Sequence, residues 1–184
     1  MEHGGDLADK TGGTGVPVFR GHAFSVRVQR MRTARGLWVE REIVDRVDAV
    51  AVVADVSGQL LLVRQYRPAV GRELWELPAG RIDAGEDAQQ AARRELQEET
   101  GYRAATLQRL ARLYPSPGYT SEAVTFYFAD GPTAGPPAPE PGEDLTVALF
   151  DQARLRALLR SEEPVNGLLW VGAQWWLARA NAEA

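Results

Sequence analysis

The chain has 184 residues, a hydrophobic fraction of 45% and a formal net charge of −4. This length suits one domain with a sizeable core, and the negative charge offers no general attraction for nucleic acid or anionic membranes. The absence of cysteine excludes disulfides, thiolate metal sites and cysteine nucleophiles. Because His3 and His22 are the two histidines, a histidine-rich metal site is not expected either.

The N-terminal segment and the apolar runs bear on location and domain organisation. No apolar run approaches the length of a membrane span, and the glycine-rich start lacks the apolar stretch of a secretory signal. We therefore expect a cytoplasmic protein that binds neither membrane nor nucleic acid. Residues 1–16 are polar and predict a flexible tail, followed by a single domain over residues 17–184.

Strand patterns dominate the first half of this domain. Residues 24–29 alternate apolar and polar positions and predict a half-buried strand, and residues 37–47 predict another. The β-branched run 47–56 predicts a strand that is covered on both faces. A turn at residues 57–58 and a returning strand at residues 60–64 complete a hairpin.

Residues 87–100 predict a helix that ends at Gly101, a residue suited to the left-handed conformation just past a helix. Around this helix Glu99 lies about 40° and Glu98 about 60° from Glu95, at roughly 100° per residue. The same half of the helix carries the small residues Ala88, Ala91 and Ala92. Three carboxylates therefore share the small, apolar half of the helix.

This carboxylate cluster predicts a metal site. Like charges three and four residues apart on a partly buried face repel each other, so the cluster is costly without a partner. Mg²⁺ turns the repulsion into coordination, since it favours one or two carboxylates together with waters and substrate phosphates. An isolated pair of glutamates is more often a solvated acidic turn, but the additional glycine, arginine and glutamate at fixed spacing favour the metal.

After the helix, residues 105–114 and 122–129 predict strands. Residues 131–143 are rich in proline and glycine and predict a mobile loop. Residues 145–150 predict a last strand, and Asp151 is the expected cap of a following helix. A final helix carries Leu168, Leu169, Trp170, Trp175, Trp176 and Leu177. This order favours an α/β or α+β fold with a mixed sheet between helices.

Residues 80–102 have the sequence GRIDAGEDAQQAARRELQEETGY. This segment resembles the signature box of the Nudix hydrolases, Gly-x5-Glu-x7-Arg-Glu-U-x-Glu-Glu-x-Gly-U, in which U is bulky and apolar. Every specified position is matched, from Gly80 and Glu86 to Gly101 and Tyr102. The resemblance implies an α/β/α sandwich with a mixed β-sheet and a loop–helix–loop that binds Mg²⁺ or Mn²⁺ and hydrolyses a nucleoside diphosphate linked to another moiety.

The resemblance also implies roles for residues of the box. The metal ligands would be the carboxylates of Glu95, Glu98 and Glu99 and the carbonyl of Ala79. Arg94 would orient Glu86 or a ligand as a charge pair.

The general base is open between a box glutamate and an acid of the loop before the last strand, as relatives use either. That loop carries Glu140, Glu143 and Asp144, of which Glu143 has the preferred position. Three acids in such a segment can equally serve only to keep it solvated.

Two further motifs are similar to those of the ADP-ribose pyrophosphatases within this superfamily. They are QYRP at residues 65–68, followed by LWELPAG, and YPSPGYTSE at residues 114–122. By this match Arg67 contacts the substrate's phosphates, for which its cationic fork is suited. The match also places Ser116, Gly118 and Glu122 near the terminal ribose. Taken singly, these motifs equally fit a surface arginine and a simple turn; their conjunction with the box favours ADP-ribose.

One stretch departs from the pattern of these relatives, which carry a basic-x-Glu pair that often reaches the nucleotide of the partner subunit. Here residues 40–42 are Glu-Arg-Glu, so Glu42 matches while the basic residue is replaced or shifted by one. Trp38 is a candidate for stacking on the base, although a single aromatic is more often packing. The resemblance implies a homodimer through residues 17–47, and the Trp-rich last helix either joins that interface or packs internally.

These patterns together predict Mg²⁺-dependent hydrolysis of ADP-ribose to AMP and ribose 5-phosphate, by metal-assisted attack of water on the pyrophosphate. One alternative is another substrate of the same class, such as GDP-mannose or a dinucleotide. The other alternative is a nucleotide-binding sensor that has lost catalysis. Sensors of that kind usually lose box carboxylates, whereas all four are present here.

Overall fold

The structure, a computed structural model, describes residues 15–136 and 144–182. Its elements in chain order are β1 (Val16–Arg20), β2 (Ser25–Arg32), β3 (Trp38–Asp45), β4 (Ala49–Val56), β5 (Gln59–Arg67), β6 (Arg72–Glu76), β7 (Ala79–Arg81), α1 (Ala88–Thr100), β8 (Tyr102–Arg103), β9 (Gln108–Leu113), β10 (Val124–Asp130), β11 (Thr133–Ala134), β12 (Thr146–Phe150), α2 (Gln152–Arg160) and α3 (Gly167–Ala182). Among the described residues, no helix is long and apolar enough to cross a membrane.

A seven-stranded mixed sheet forms the centre of the protein. Strands β12, β5, β4, β10 and β9 lie side by side, while β6 pairs with β5 and β7 pairs with β4. β4 and β10 are parallel, and the other pairs are antiparallel. β4 is central, which explains why its β-branched run is buried on both faces, as the sequence predicts.

Helices cover both faces of this sheet. Successive side chains of a strand point to opposite faces. One face packs against α1 through Val50, Val52, Leu61, Ala91, Ala92 and Leu96. The other packs against α2 and α3 through Ala51, Val53, Leu62, Leu155, Leu169 and Trp176. The expected α/β/α sandwich is confirmed.

Helix α3 packs closely against the sheet. A Cβ at Gly172 would lie 2.6 Å from Leu77 Cδ1, so the absence of a side chain at this position allows the close approach. Trp176 is buried and donates its indole Nε1 to Asp55 Oδ2 at 2.6 Å. Trp175 lies 4.9 Å from the ring of Phe128. These two tryptophans therefore pack internally, whereas Trp170 of the same helix is 46% exposed.

The N-terminal strands form a separate antiparallel sheet in the order β1-β2-β3. Side chains that are more than half exposed on this three-stranded sheet and its turn include Val16, Val18, Phe19, Leu37 and Trp38. The sequence does not predict β1, because Pro17 and a bulge between Pro17 and Phe19 break the strand alternation. The expected tail extends over residues 1–16, of which residues 1–14 lie outside the described part of the chain.

The predicted loop at residues 131–143 is partly wrong. Thr133 and Ala134 form β11 and pair with β8, directly after the box helix. Residues 137–143, and with them Glu140 and Glu143, lie outside the described residues. The short strands β6 and β7 were also missed, since a strand of three to five residues shows too few alternations to be recognised.

Candidate active site

The box helix α1 has well-formed caps at both ends. The side chain of Asp87 accepts hydrogen bonds from the amides of Gln89 and Gln90, and the side chain of Gln90 accepts one from the amide of Asp87. This reciprocal capping box satisfies amides that the helix itself leaves unpaired. At the other end Gly101 has φ 77°, the left-handed conformation predicted for it. The caps therefore define where α1 begins and ends.

The helix carboxylates lie on the face that packs on the sheet, as the helical spacing predicts. Glu95 is 9% exposed and Glu99 is 5% exposed, whereas the side chain of Glu98 is 31% exposed. Glu99 Oε2 accepts a hydrogen bond from the amide of Ala79 at 3.0 Å. The carboxylate of Glu95 lies directly against Gly80, where a Cβ would overlap it. Glycine at position 80 is therefore required by this packing.

Arg94 is the cation among these carboxylates, and its contacts account for all five of its N–H donors. Its Nε and Nη2 bind the two carboxylate oxygens of Glu86 at 3.1 and 3.0 Å. Nη1 donates to Glu95 at 2.7 Å and to Glu98 at 3.1 Å. Nη2 also donates to the carbonyl of Arg81 at 2.8 Å. The predicted pairing of Arg94 with Glu86 is thus present, and the same guanidinium also holds two carboxylates of α1.

These contacts shift the protonation equilibria of both partners. The hydrogen bonds from Arg94 lower the pKa of Glu86 below its ordinary value of 4.5, because they stabilise the ionised carboxylate. Conversely, the hydrogen bond to Glu86 raises the pKa of Arg94 above its ordinary value. Both groups are therefore charged near neutral pH.

The residues of the box fit a hard divalent cation by their chemistry. Three box carboxylates, those of Glu86, Glu95 and Glu98, bind one guanidinium, and the buried Glu99 lies on the same helix, so the cluster carries an excess of negative charge that is costly to bury unless cations compensate it. The donors are oxygens, which Mg²⁺ prefers. Within residues 15–136 and 144–182, no group of three acidic or histidine side chains is arranged as a preformed metal site. Arg94 lies between Glu95 and Glu98, and Glu99 faces the amide of Ala79.

Arg67 is held by a buried carboxylate that the sequence analysis did not single out. Its Nε and Nη2 bind Glu76 Oε1 and Oε2 at 2.8 and 2.6 Å. By the alternation of β5, Arg67 lies on the same face as Leu61, which packs against α1. Three residues after Glu76, Ala79 binds Glu99 through its amide. The short connection between β6 and β7 therefore links the carboxylate that binds Arg67 to the amide that binds Glu99. A glutamate flanked by apolar residues in LWELPAG was the available signal.

The loop that contains Ser116, Gly118 and Glu122 is attached to the end of β3. The carbonyl of Ser116 accepts hydrogen bonds from the next turn of the loop, and the space around Gly118 is open. The side chain of Glu122 is 14% exposed and pairs with Arg46 at 3.3 Å. Burial raises the pKa of Glu122, while the charge of Arg46 acts in the opposite direction. Arg46 was missed because it lies 76 residues away in the sequence.

The remaining predicted residues lie elsewhere. Glu42 is exposed on β3, opposite Val28 of β2, and Trp38 lies at the start of β3 with Arg30 4.8 Å from its ring. Both therefore belong to the three-stranded sheet and not to the central sheet that carries the box. Asp144 is exposed just before β12.

Comparison with known proteins identifies the family. The family model described as NUDIX domain matches residues 44–167, which include the box and the whole central sheet. The chain belongs to the Nudix family. The resemblance drawn from the box residues is thereby confirmed.

Relatives within the Nudix family are similar over most of the chain. A Mycobacterium tuberculosis protein named ADP-ribose pyrophosphatase is 39% identical over 156 residues, 83% of this chain and 75% of that protein. A Bacillus subtilis protein of the same name is 37% identical over 114 residues, 61% of this chain and 62% of that protein. The crystal structure of an ADP compounds hydrolase matches with a TM-score of 0.77 at 24% identity, covering 90% of this chain and 93% of that one, which supports the fold.

Proposed function

We propose that this Nudix protein hydrolyses the pyrophosphate bond of nucleoside diphosphate sugars and that its main substrate is ADP-ribose. The observation that carries the proposal is the complete box folded as one unit, with Glu95 buried against Arg94 and Glu99 buried against the amide of Ala79. The similarity to two proteins named ADP-ribose pyrophosphatase supports the choice of substrate. In the reaction, the oxygen of water bonds to one phosphorus and the bridging oxygen leaves with the other phosphate. The products are AMP and ribose 5-phosphate.

Glu95, Glu98 and Glu99 are the proposed metal ligands, with the carbonyl of Ala79. Bound Mg²⁺, or Mn²⁺, would supply a lowered pKa for the attacking water and charge stabilisation on the leaving phosphate. The amide of Ala79 binds one oxygen of Glu99 and so fixes the orientation of this carboxylate. Arg94 orients Glu86, Glu95 and Glu98 and offsets part of their mutual repulsion. The general base is either a box glutamate or Glu143.

The substrate's phosphates are assigned to Arg67. Because Glu76 holds the Nε and Nη2 side of the Arg67 guanidinium in place, little side-chain entropy is lost when Arg67 binds an anion. The terminal ribose is assigned to the loop with Ser116, Gly118 and Glu122.

We further propose a homodimer through the three-stranded sheet, whose exposed apolar side chains need a cover. In such a dimer, Glu42 and Trp38 of each sheet would meet the adenine of a substrate bound to the partner. Sedimentation analysis measures this directly, and a monomer at assay concentration would contradict it. Cytoplasmic location stays a prediction.

The decisive experiment is a panel of nucleoside diphosphate compounds assayed with Mg²⁺ for released AMP or phosphate. We expect ADP-ribose to have the highest kcat/KM, and Glu99→Gln to lose nearly all turnover while keeping its Tm. Preference for GDP-mannose or a dinucleotide would retain the enzyme class but change the substrate. Binding of nucleotide without any turnover would contradict the proposal and favour a sensor. Wild-type turnover of Glu99→Gln would refute the assigned metal site.

A further inference from the structure

Arg46 lies in the connection between β3 and β4 and attaches this connection to the loop before β10. Its amide donates to Ser121 Oγ at 3.1 Å, and Ser121 Oγ donates back to the carbonyl of Arg46 at 3.4 Å. Beside it, the amide of Val44 binds the carbonyl of Tyr119 at 2.7 Å, and the amide of Ser121 binds the carbonyl of Val44 at 3.0 Å. The position of the loop is therefore fixed by the end of β3.

The side chain of Arg46 is placed for Glu122. Its Nη1 lies 3.3 Å from Oε1 and 3.4 Å from Oε2, so one nitrogen contacts both carboxylate oxygens. Arg46 Nε is buried, and it is the one buried side-chain nitrogen or oxygen without a hydrogen-bond partner among the described residues. A buried donor without a partner is unfavourable. In this position Arg46 binds Glu122 through Nη1, while its Nε is left without a hydrogen-bond partner.

Among the residues that the structure describes, Arg46 is the one cation that pairs directly with Glu122. Burial favours its neutral form, and the nearby carboxylate of Asp48 adds to that effect. Asp48 itself binds the amide of Ala123 through Oδ1 and Arg112 through Oδ2 at 3.0 Å, and Arg112 also lies over the ring of Tyr114. Arg112 is therefore directed at Asp48, and Arg46 remains the group that opposes protonation of Glu122.

Glu122 is connected to the box through Asp48. Asp48, whose Oδ1 binds the amide next to Glu122, accepts a hydrogen bond from the amide of Ile82 through its carbonyl. Ile82 follows Arg81, whose carbonyl binds Arg94. Hydrogen bonds and short stretches of backbone thus connect Glu122 to the central arginine of the box across β10, β4 and β7.

We propose that Arg46 is a positioning residue that holds Glu122 ionised and oriented to accept hydrogen bonds from two vicinal hydroxyl groups of the substrate's terminal sugar. This inference rests on the proposed function. An ionised carboxylate has acceptors only, which match two O–H donors, and its hydrogen bonds are charge-assisted. A protonated carboxyl would present one donor toward the diol and bind it less well. Arg46 thereby makes the sugar end of the substrate a determinant of affinity.

The test compares Arg46→Gln with a matched control, Arg179→Gln. Arg179 pairs with Asp130 at 3.4 Å, at the opposite end of β10 and roughly 25 Å along the strand from Glu122. For ADP-ribose we expect Arg46→Gln to raise KM about tenfold with kcat nearly unchanged, the effect of losing about one charge-assisted hydrogen bond. Arg46→Lys should restore most of the affinity, and Arg179→Gln should leave both constants unchanged.

The pH dependence of KM separates this role from a structural one. KM rises as the pH falls through the pKa of Glu122, and this rise should begin at a higher pH in Arg46→Gln because the opposing cation is gone. Glu122→Gln should show a raised KM without that pH-dependent limb, and it tests the idea even where Arg46→Gln fails to fold. On a substrate whose terminal sugar lacks one of the two hydroxyls, the effect of Arg46→Gln should shrink.

Equal KM values and equal pH profiles for Arg46→Gln and Arg179→Gln would overturn the inference. The proposed function would still stand if the wild-type protein hydrolyses ADP-ribose. A Glu122→Gln variant that keeps the wild-type KM and its pH profile would overturn it as well. If the wild-type protein hydrolyses no nucleoside diphosphate sugar, the proposed function fails first, and the inference fails with it.

Discussion

Adding one methyl group at Gly80 should reduce catalysis while the protein still folds. A Cβ at this position would overlap Oε1, Cδ and Oε2 of Glu95, far inside the 3.0 Å that real Cβ atoms keep. Ordinary contact begins at 3.4 Å, so in Gly80→Ala the carboxylate has to withdraw by roughly 1 Å or more. The carboxylate is the far end of a flexible side chain, and the backbone at Gly80 has no positive φ, so the strand itself accepts alanine.

The two consequences of Gly80→Ala differ in size. Stability loses the hydrogen bond from Arg94 to Glu95, about 1.5–3 kcal/mol for a charged pair, and regains about 0.4–1 kcal/mol from the stiffer unfolded chain. The net loss is therefore about 0.5–2.6 kcal/mol. A displacement of about 1 Å in a catalytic group costs on the order of 100-fold in rate. We therefore expect a folded protein with kcat/KM reduced about 100-fold.

The assay is AMP release from ADP-ribose in Mg²⁺, measured beside thermal unfolding of the same samples. Gly167→Ala is the matched control, because no atom lies within 4 Å of a Cβ at the start of α3. It should keep both activity and Tm. Wild-type kcat/KM in Gly80→Ala would refute the reasoning, since it would mean that the reaction does not depend on where Glu95 lies.

Three further predictions concern ion pairs and one indole. Arg67→Ala should raise KM for ADP-ribose about tenfold, whereas Arg64→Ala, which breaks an exposed 2.8 Å ion pair across the same hairpin, should leave KM unchanged; steady-state kinetics measures both, and equal KM values would contradict the phosphate role. Because the folded-state pKa of Glu86 is lowered, its ion pair stabilises the protein fully above the ordinary value of 4.5, and this stabilisation is lost as the pH falls through the folded-state pKa. Urea unfolding at several pH values should therefore show wild type losing more stability on acidification than Glu86→Gln, and parallel losses would show that the pair contributes nothing. Trp176→Phe removes the indole donor to Asp55 and should cost about 1.5–3 kcal/mol in the free energy of unfolding; an unchanged urea midpoint would assign that bond no value.

The elements that the sequence predicts well are those whose signals are local. The box helix carries its own cap at Asp87 and its own stop at Gly101, so its bounds follow from neighbouring residues. β4 is recognisable because it lies at the centre of the sheet and is apolar from Ala49 to Ala54. β1 and β7 lack such signals: Pro17 disrupts the first, and the second has three residues and forms by pairing with β4.

The residues of the candidate site can also be predicted from the sequence only where their signal is local. Glu95, Glu98 and Glu99 are found from the sequence because one helix carries all three. Glu76 and Arg46 were missed because their importance comes from partners that the fold brings near, on the next strand of a hairpin or 76 residues away. No pattern of neighbours within the sequence encodes such a pairing. The role of Glu143 as general base stays a prediction, since it lies outside the described residues.

The five contacts of Arg94 bear on whether the protein needs a metal ion in order to fold. An internal guanidinium already compensates part of the acidic cluster, so the chain can reach its native state with no dissolved ion present. An incoming ion must then compete with an arginine that is already in place, which weakens its hold on the free enzyme. Chelators should accordingly inactivate the enzyme without unfolding it. The affinity for the ion should be highest when a diphosphate substrate is bound together with it.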